Sequence, residues 1–428
     1  MLIHFKTLGC RLNEAELETW SREFHQQGHQ LTLSVDDADL VIINTCAVTE
    51  EAVKKSRKLL RKAQRNNHDA KLVMTGCYAT LEKDALIDTQ GVDLVVPNED
   101  KSRLIELILD NLELPAADTS AVDQEASQLL FSGRQRAFVK VQDGCRYRCT
   151  FCIVTVARGS ESSRSIQSIV EEINLLSQQD IKEVVLTGVH LGGYGADQNS
   201  NLVELVEAVL SDTDIQRIRM GSLEPWELDD GFWQLFENSR VMPHLHLPLQ
   251  SGADSVLRRM ARRCKTADFA ELLNKARDVN PTFNITTDII VGFPGETEEE
   301  WQQSYDFIAS CDFGHIHIFS YSPRDGTKAA TLPDPISREV KRQRSEQLHV
   351  LADTMKQHNQ QKILGQTHEV LFEGNQQLNM DGSITWSGYT PNFQRVKVVS
   401  NRNDLCNSIH PVKLKDELVD SELTGMLA

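Results

Sequence analysis

The chain has 428 residues, of which 40% are hydrophobic and 25% are charged, as in an ordinary globular protein of roughly two or three domains. Its net charge of −17 counts against a nonspecific nucleic-acid coat, because attraction to phosphate needs clustered lysine and arginine. No apolar run approaches the roughly 20 residues that cross a bilayer, and the first residues lack a signal-peptide layout. We therefore expect a cytoplasmic protein with no membrane partner.

Residues 1–112 alternate strand-like and helical segments, which predicts an open parallel α/β domain. Its strand-like runs are LIHFKTL, DLVIINT, KLVMTG and VDLVVP. The second helix is predicted to begin near Thr49, because Glu50 and Glu51 then lie in its first turn. Residues 113–133 lack periodicity and read as a linker, with a long internal loop as the alternative.

Residues 134–362 carry six further strand-like runs separated by helical segments. This rhythm predicts a partial (β/α) barrel of parallel strands, and a doubly wound open sheet is the alternative. Residues 363–428 change character, with short β-like runs such as HEVLFEG, GSITWSGYT and QRVKVVS. They predict a small all-β barrel, a fold that often binds nucleic acid without proving that function.

Three cysteines form a C-x3-C-x2-C array directly after the first strand of the second domain: Cys145, Cys149 and Cys152. Stable disulfides are rare in a reducing compartment, so such spacing points to a metal centre. Zinc normally requires four Cys or His ligands, and no fourth lies nearby in sequence. A [4Fe–4S] cluster held by three thiolates would keep one iron open for a ligand, which makes it the favoured interpretation.

A second set of three cysteines follows the apolar strands of the first domain, in FKTLGC, VIINTC and LVMTGC. These are Cys10, Cys46 and Cys77. In an open parallel sheet the carboxyl ends of the strands face one crevice, so the three thiols are predicted to meet there. Buried cysteines are often inert, yet three at equivalent strand ends favour a second [4Fe–4S] cluster.

The C-x3-C-x2-C array at the mouth of a parallel barrel resembles the radical S-adenosylmethionine superfamily. With the three-cysteine domain before it, the chain resembles that superfamily's methylthiotransferases, which end in a β-barrel called TRAM. Blocks such as TLGCRLNEAELE, NTCAVTEEAVKKSR, HLHLPLQSGADSVLRRM and DIIVGFPGETEEEW carry the likeness. It implies two [4Fe–4S] clusters and S-adenosylmethionine, with an electron donor such as flavodoxin or ferredoxin.

The resemblance also implies residues that bind S-adenosylmethionine. Phe151 matches a position that packs by the adenine, and Gly188 falls in the glycine motif for the methionyl amine. Glu224 and Gln250 follow the third and fourth strands and are further candidates. Active sites of such barrels lie at the carboxyl ends of the strands, where these residues fall. For the glycine, a tight turn is the structural alternative.

The substrate follows from the resemblance too. Three blocks most resemble one branch of the family: TLGCRLNEAELE, RMGSLEPWEL and FSYSPRDGTKAA. That branch adds a methylthio group to carbon 2 of N(6)-L-threonylcarbamoyladenosine beside the tRNA anticodon. Alternatives are isopentenyladenosine in tRNA, an aspartate of a small-subunit ribosomal protein, or a non-catalytic metal-bearing RNA-binding protein. A predicted helix carries a basic face that favours RNA, although such a face can be merely solvated: Lys54, Lys55, Arg57, Lys58 and Arg61.

The other cysteines and several histidines are interpreted as structural. Cys264 falls on a helical apolar stripe, and Cys311 and Cys406 stand alone. The histidines at 244, 246, 315 and 317 alternate along two strands. They are predicted to be satisfied structural side chains.

Overall fold

A computed structural model describes residues 1–89, 91–115 and 136–428. It divides the chain into two compact units. The first unit comprises Met1–Ser132, Asp143–Glu161 and Ser322–Ala330, and the second comprises Gly133–Gln142, Ser162–Tyr321 and Thr331–Ala428. From residue 116 onward, the predicted linker lies outside the described residues. None of the helices described is long and apolar enough to cross a membrane.

The first unit is built on a parallel sheet of five strands in the order β2-β1-β3-β4-β5. The strands are β1 (Leu2–Thr7), β2 (Gln30–Leu31), β3 (Leu40–Thr45), β4 (Lys71–Gly76) and β5 (Leu94–Val96). The helices are α1 (Arg11–Gln26), α2 (Glu50–Asn66), α3 (Cys77–Leu81), α4 (Lys83–Ile87), α5 (Leu104–Asn111) and α6 (Val154–Arg158).

The burial of the central strand β3 shows that this open sheet is covered on both faces. All six of its residues are buried, as expected for a strand covered on both faces. Val41 and Ile43 pack into one hydrophobic cluster, and Leu40 and Ile42 pack into another on the opposite face. The predicted start of α2 is correct, since the Thr49 hydroxyl caps the helix by accepting from the Ala52 N–H.

The second unit contains six parallel strands in two sheets of three, ordered β10-β9-β6 and β11-β12-β13. They are β6 (Arg136–Lys140), β9 (Glu183–Thr187), β10 (Arg217–Met220), β11 (His244–His246), β12 (Asn284–Val291) and β13 (His315–Ser320). Isolated bridges Ile218↔Val241 and Ser222↔His246 link the two sheets. All six strands were predicted, and together they form the partial barrel.

Short strands and helices complete this part of the chain. The strands β7 (Gln142–Asp143) and β8 (Ser162–Ser163) pair with each other. The helices are α7 (Ile166–Gln178), α8 (Leu202–Asp212), α9 (Asp230–Gln234), α10 (Asp254–Arg259), α11 (Thr266–Val279), α12 (Glu298–Cys311) and α13 (Arg338–Gln361).

The C-terminal strands close into a small barrel in the order β14-β15-β16-β18-β17. They are β14 (Thr367–Leu378), β15 (Ile384–Tyr389), β16 (Arg395–Ser400), β17 (Ile409–Leu414) and β18 (Leu423–Leu427). Its core packs around Trp386, which is 1% exposed. The first three strands were predicted, whereas β17 and β18 were missed: β17 contains Pro411, which argues against a strand, and β18 is a five-residue run that contains Gly425.

Candidate active site

Three cysteines of the first unit lie at one edge of its sheet. Cys10 follows β1, Cys46 follows β3 and Cys77 follows β4. These strands are neighbours and run parallel, with Thr7 paired to Asn44 and Thr45 paired to Gly76. Because the carboxyl ends of parallel strands lie at the same sheet edge, the fold brings these thiols together although they are far apart in sequence.

Two glycines allow the strand ends to approach. Gly9 has φ +109°, and a Cβ atom on it would lie 2.9 Å from the Cys46 Sγ. Gly76 has φ +96°, and a Cβ atom there would lie 2.3 Å from the Thr45 carbonyl oxygen. Only glycine fits both the left-handed backbone and this contact. The glycines that precede Cys10 and Cys77 therefore permit the close packing of this edge.

The environment of Cys46 is apolar and crowded with thiols. The residue is 7% exposed. Burial raises the pKa of its thiol, with smaller contributions from the neighbouring Cys77 and Cys10, while the Val48 N–H and the Arg158 cation oppose the rise; the resulting pKa is about 11. Without a metal the thiol is therefore protonated at neutral pH. A metal centre would have to displace that proton to obtain a thiolate ligand.

The C-x3-C-x2-C cysteines lie on a closed loop that belongs to the same unit. The Cys145 N–H donates to the Gly159 carbonyl over 3.2 Å, and the Cys152 N–H donates to the Cys149 carbonyl over 3.0 Å. Gly144 enters the loop with φ +71°, where a Cβ atom would lie 1.9 Å from the Ser160 carbonyl oxygen. These contacts fold the loop back on itself, and its three cysteines are half-buried.

The short helix α6 connects this loop to the thiols of the sheet. It begins two residues after Cys152, and Ala157 packs in the hydrophobic cluster that contains Cys77. The Asn98 side-chain amide donates to the Ala157 carbonyl over 2.6 Å and lies 3.7 Å from the Cys77 Sγ. The fold therefore brings both cysteine sets into one unit and joins them through direct contacts.

A buried cation lies at this junction. The Arg158 side chain is 2% exposed and donates to Glu16, Asp143 and Asn13 over 3.1, 2.9 and 2.6 Å. Burial alone would lower the pKa of Arg158, but Glu16, Cys77, Asp143 and Cys10 raise it well above its usual value. The guanidinium therefore stays charged beside the thiols of the sheet.

The donor chemistry and spacing of both cysteine sets fit an iron–sulfur cluster better than zinc. Tetrahedral zinc at 2.3 Å from each sulfur would hold its thiolates about 3.8 Å apart. Among the described residues, neither set brings its three sulfurs within 4.8 Å of one another. Three soft thiols with a wider spacing, one set beside a permanent cation, suit a larger and negatively charged centre.

The residues predicted to bind S-adenosylmethionine are distributed over both units. Phe151 is half-buried on the cysteine loop. Gly188 follows β9, where a Cβ atom would lie 2.8 Å from the Gln142 side-chain oxygen, so packing alone already requires glycine. Glu224 pairs with Arg262 over 2.7 Å.

Gln250 is held in a defined conformation beside β12. It has φ +76°, its N–H donates to the Asp288 carbonyl over 2.8 Å, and its carbonyl accepts from the Ile290 N–H over 2.9 Å. A non-glycine residue in the left-handed region is strained and persists where its surroundings fix it. The side chain is thus presented at the strand end by a rigid backbone.

The basic face of α2 is exposed, and its cations are not equivalent. Lys54 and Lys55 each pair with a glutamate one turn earlier, and Arg57 donates to the Tyr78 hydroxyl over 2.9 Å. Lys58 and Arg61 have no carboxylate partner among the described residues. The face borders a cleft of ≈ 1030 Å³ with further basic residues in its lining: Arg65, His68 and Lys71.

Sequence patterns missed the residues that organise the junction between the cysteine sets. Asn13, Asn98 and Arg158 make their contacts across 145 and 59 residues of sequence. No local periodicity or spacing reports such contacts.

Two other cysteines were interpreted from sequence as structural, and their burial agrees with that interpretation. Burial raises the pKa of Cys264 and of Cys311 to about 12 each, which leaves both thiols unreactive.

Comparison with known proteins agrees with this arrangement. The uncharacterized protein family UPF0004 matches residues 2–97, and the Radical SAM superfamily matches residues 139–308. The threonylcarbamoyladenosine tRNA methylthiotransferase MtaB of Bacillus subtilis (strain 168) is 35% identical, over 96% of this chain and 93% of its own length. The protein of that name from Thermotoga maritima is 33% identical, over 98% and 96%.

A relative with another name and a solved structure complete the comparison. The tRNA-2-methylthio-N(6)-dimethylallyladenosine synthase of Akkermansia muciniphila is 32% identical, over 97% of this chain and 96% of its own length. The radical S-adenosylmethionine methyltransferase TsrM of Kitasatospora setae has a similar fold, with a TM-score of 0.57, 15% identity and 77% of each chain covered. The chain therefore belongs to the radical S-adenosylmethionine methylthiotransferase family.

Proposed function

We propose that this enzyme adds a methylthio group to carbon 2 of N(6)-L-threonylcarbamoyladenosine beside the anticodon of tRNA. The observation that carries the proposal is the pair of cysteine sets in one unit, joined by α6 and Arg158. Near full-length similarity to proteins named for this reaction supports the choice of substrate. Its cofactors are S-adenosylmethionine and two [4Fe–4S] clusters.

Cys145, Cys149 and Cys152 would hold one cluster, and Cys10, Cys46 and Cys77 would hold the other. When bound, these cofactors supply radical cleavage of a sulfonium and the sulfur that is transferred. The protein's own task is placement. Gly9 and Gly76 let the thiols of the sheet approach, Asn98 and Arg158 fix the cysteine loop against them, and a fixed geometry removes the entropy of bringing reactants together.

Phe151, Gly188, Glu224 and Gln250 are the residues that we propose for S-adenosylmethionine. Phe151 offers an apolar ring on the loop that carries the cluster cysteines. Glu224 and Gln250 offer polar atoms that Arg262 and the left-handed backbone hold in place. Gly188 is half-buried at the end of β9 and has no side chain of its own to shield its backbone groups from a ligand.

The tRNA would be held through its phosphates. The face formed by Lys54, Lys55, Arg57, Lys58 and Arg61 is exposed and borders the basic cleft of the first unit. Such a face attracts phosphate although the chain as a whole is acidic. The target base must leave the anticodon-loop stack to be modified, and unstacked bases are what RNA-binding proteins capture. A small electron donor such as flavodoxin or ferredoxin would be the second partner.

Mass analysis of tRNA nucleosides tests the proposal directly. Anaerobically prepared enzyme, given S-adenosylmethionine, a reductant and tRNA that carries threonylcarbamoyladenosine, should produce its 2-methylthio form. The matched substrate is the same tRNA with isopentenyladenosine, the alternative that the Akkermansia relative supports. Methylthiolation of isopentenyladenosine alone, or of a ribosomal-protein aspartate with tRNA unchanged, would contradict the proposal.

A further inference from the structure

The second unit has one polar strand face that the predicted cofactor residues do not account for. Strands β11, β12 and β13 run parallel, with His246 paired to Thr286 and Asp288 paired to His317. Paired residues of neighbouring strands share a face, so these four side chains project on the same side of the sheet. The opposite side is the apolar core, with these residues almost completely buried: Leu245, Ile285, Ile289 and Ile316.

Hydrogen bonds orient the polar groups on this face. The His246 Nδ1 lies 2.9 Å from the Thr286 hydroxyl oxygen, and its Nε2 lies 3.1 Å from the Asp288 carboxylate. With Nε2–H donating to Asp288, Nδ1 accepts from the Thr286 hydroxyl, which fixes the ring. One ligand atom each of His246, Asp288 and His317 lies within 4.8 Å of the others. Three recognition groups are therefore clustered and partly pre-oriented.

The face is covered at one end and accessible at the other. At the amino end of the strands, Asn392 accepts from the Asn284 side-chain amide over 2.8 Å, and the Phe393 ring lies 4.8 Å from His244. At the carboxyl end, the side chains of His246 and Asp288 are 14% and 25% exposed, and His317 is exposed. A ligand would reach the cluster from the end at which Gln250 lies, because Gln250 bonds to the backbone of Asp288.

We infer that His246, Asp288 and His317 form the subsite that binds the threonylcarbamoyl group of the target nucleoside, an inference that rests on the proposed function. That group carries ureido N–H donors, a hydroxyl and a carboxylate. The His317 imidazole donates to its carboxylate, the Asp288 carboxylate accepts from its hydroxyl or ureido N–H groups, and His246 holds that carboxylate in place. These histidines, interpreted from sequence as structural, thus acquire a role in choosing the substrate.

The subsite gives a physical reason to reject isopentenyladenosine. An isopentenyl group has no hydrogen-bonding atoms, so its binding would strip water from the three side chains and leave their polar atoms unpaired. Sites built to hydrogen-bond a substrate group discriminate against analogues that lack it by up to about 10⁴–10⁵-fold. The cluster is partly open to water, so a preference of about 10–100-fold is the expected range here.

Anaerobic binding of anticodon stem-loop RNAs to the complete holoenzyme tests the subsite. Three RNAs would be used that differ only at the target base, which is threonylcarbamoyladenosine, isopentenyladenosine or adenosine. The wild-type enzyme should prefer the first, and His317→Phe should reduce that preference about tenfold while binding adenosine RNA as before. His349→Phe is the matched control, because it makes the same change at an exposed histidine of α13 and should keep the preference.

The isosteric Asp288→Asn variant gives a second measurement if His317→Phe loses iron or the RNA-independent cleavage of S-adenosylmethionine. It should also weaken the preference, because an amide cannot replace both carboxylate acceptors. An unchanged preference in both variants would overturn the subsite and leave the proposed function standing. A preference that needs added Zn²⁺ would assign the cluster to a metal instead. If the wild-type enzyme fails to modify threonylcarbamoyladenosine, both proposals fail together.

Discussion

At the residue scale, Arg158 joins the two cysteine sets. It is a buried cation with partners on α1, on the cysteine loop and among the thiols of the sheet. Glu16, one of its partners, also bonds to the Lys101 ammonium and the Asn44 side-chain amide over 2.5 and 2.9 Å. Buried ion pairs add little net stability, but removing one member leaves an uncompensated charge. This arginine therefore contributes two things: it fixes the cysteine loop against the thiols of the sheet, and it supplies a positive charge there.

Replacing Arg158 with methionine separates those two contributions from simple packing. The change keeps much of the side-chain volume but removes the cation, so the free energy of unfolding should fall by about 3 kcal/mol. It should also bind iron less tightly at Cys10, Cys46 and Cys77, because a negatively charged centre loses its compensating charge. Urea denaturation and iron analysis would be done in a background with Cys145, Cys149 and Cys152 changed to alanine.

Arg158→Lys is the matched control for that measurement. It keeps the charge but loses the planar fork that reaches Glu16, Asp143 and Asn13 at once. Lysine should therefore preserve iron binding better than methionine does, although both variants lose stability. Equal iron loss in the two variants would show that the charge is irrelevant.

The sequence predicts the ligands at this scale but not the residues that position them. Each of Cys10, Cys46 and Cys77 follows a threonine within three residues at the end of an apolar strand, and this local pattern allowed the thiols to be found. Asn98 contacts Ala157 across 59 residues, and Arg158 contacts Asn13 across 145. Such contacts depend on the packing of whole elements, which no short window of sequence contains.

At the element scale, the basic helix α2 shows why a charge pattern needs the structure for its interpretation. Lys54, Lys58, Arg61 and Arg65 follow at helical spacing and share one face. The early lysines are neutralised by Glu50 and Glu51, and the same glutamates stabilise the start of the helix. The later cations are the ones available to an anion.

Removing the later charges should weaken RNA binding more than removing the earlier ones. The double variant Lys58→Gln/Arg61→Gln should lower tRNA affinity and reduce the slope of log K against log salt by about 1–2, as expected for one or two lost phosphate contacts. Filter binding over a range of salt concentrations measures this slope. Lys54→Gln/Lys55→Gln removes the same formal charge and is the control. An equal slope change in both variants would contradict the distinction.

At the scale of the whole molecule, the second unit combines the partial barrel with the C-terminal barrel. Arg217 donates to the carbonyls of Glu369 and Tyr389 over 2.7 and 3.2 Å. Arg219 donates to the Pro391 carbonyl over 3.2 Å, and its guanidinium lies 4.7 Å from the Phe393 ring. The C-terminal barrel thus satisfies buried charges of the partial barrel, besides any role in RNA binding.

A chain that ends at residue 362 should therefore be unstable and not merely defective in RNA binding. Truncation would remove the carbonyl acceptors of the buried Arg217 and Arg219 guanidinium groups, although their pairing with Glu183 would remain. Lost hydrogen-bond partners of a buried charge cost several kcal/mol. Thermal unfolding followed by circular dichroism should show a lower midpoint than in the full chain. A truncated protein with an unchanged midpoint would show that the C-terminal barrel is an independent appendage.

The order of strands and helices along the chain was largely predictable from sequence, because hydrophobic periodicity is a local property. All ten strands that were predicted for the first two domains appear in the structure, as does the change to consecutive strands without intervening helices after residue 363. The compact units follow a different division, since residues 143–161 and 322–330 pack with the N-terminal sheet. Packing of distant segments decides that grouping. The predicted domain boundaries at 112, 133 and 362 remain a prediction.

The most direct test of the account is the iron content of anaerobically reconstituted protein, measured with Mössbauer spectroscopy. Wild-type protein should hold about eight iron atoms per chain, as two [4Fe–4S] clusters. Alanine at Cys10, Cys46 and Cys77 together should leave about four, and alanine at Cys145, Cys149 and Cys152 together should also leave about four. Only the first variant should still cleave S-adenosylmethionine. Wild-type protein with a single cluster, or a triple variant that keeps both, would contradict the assignment of one cluster to each cysteine set.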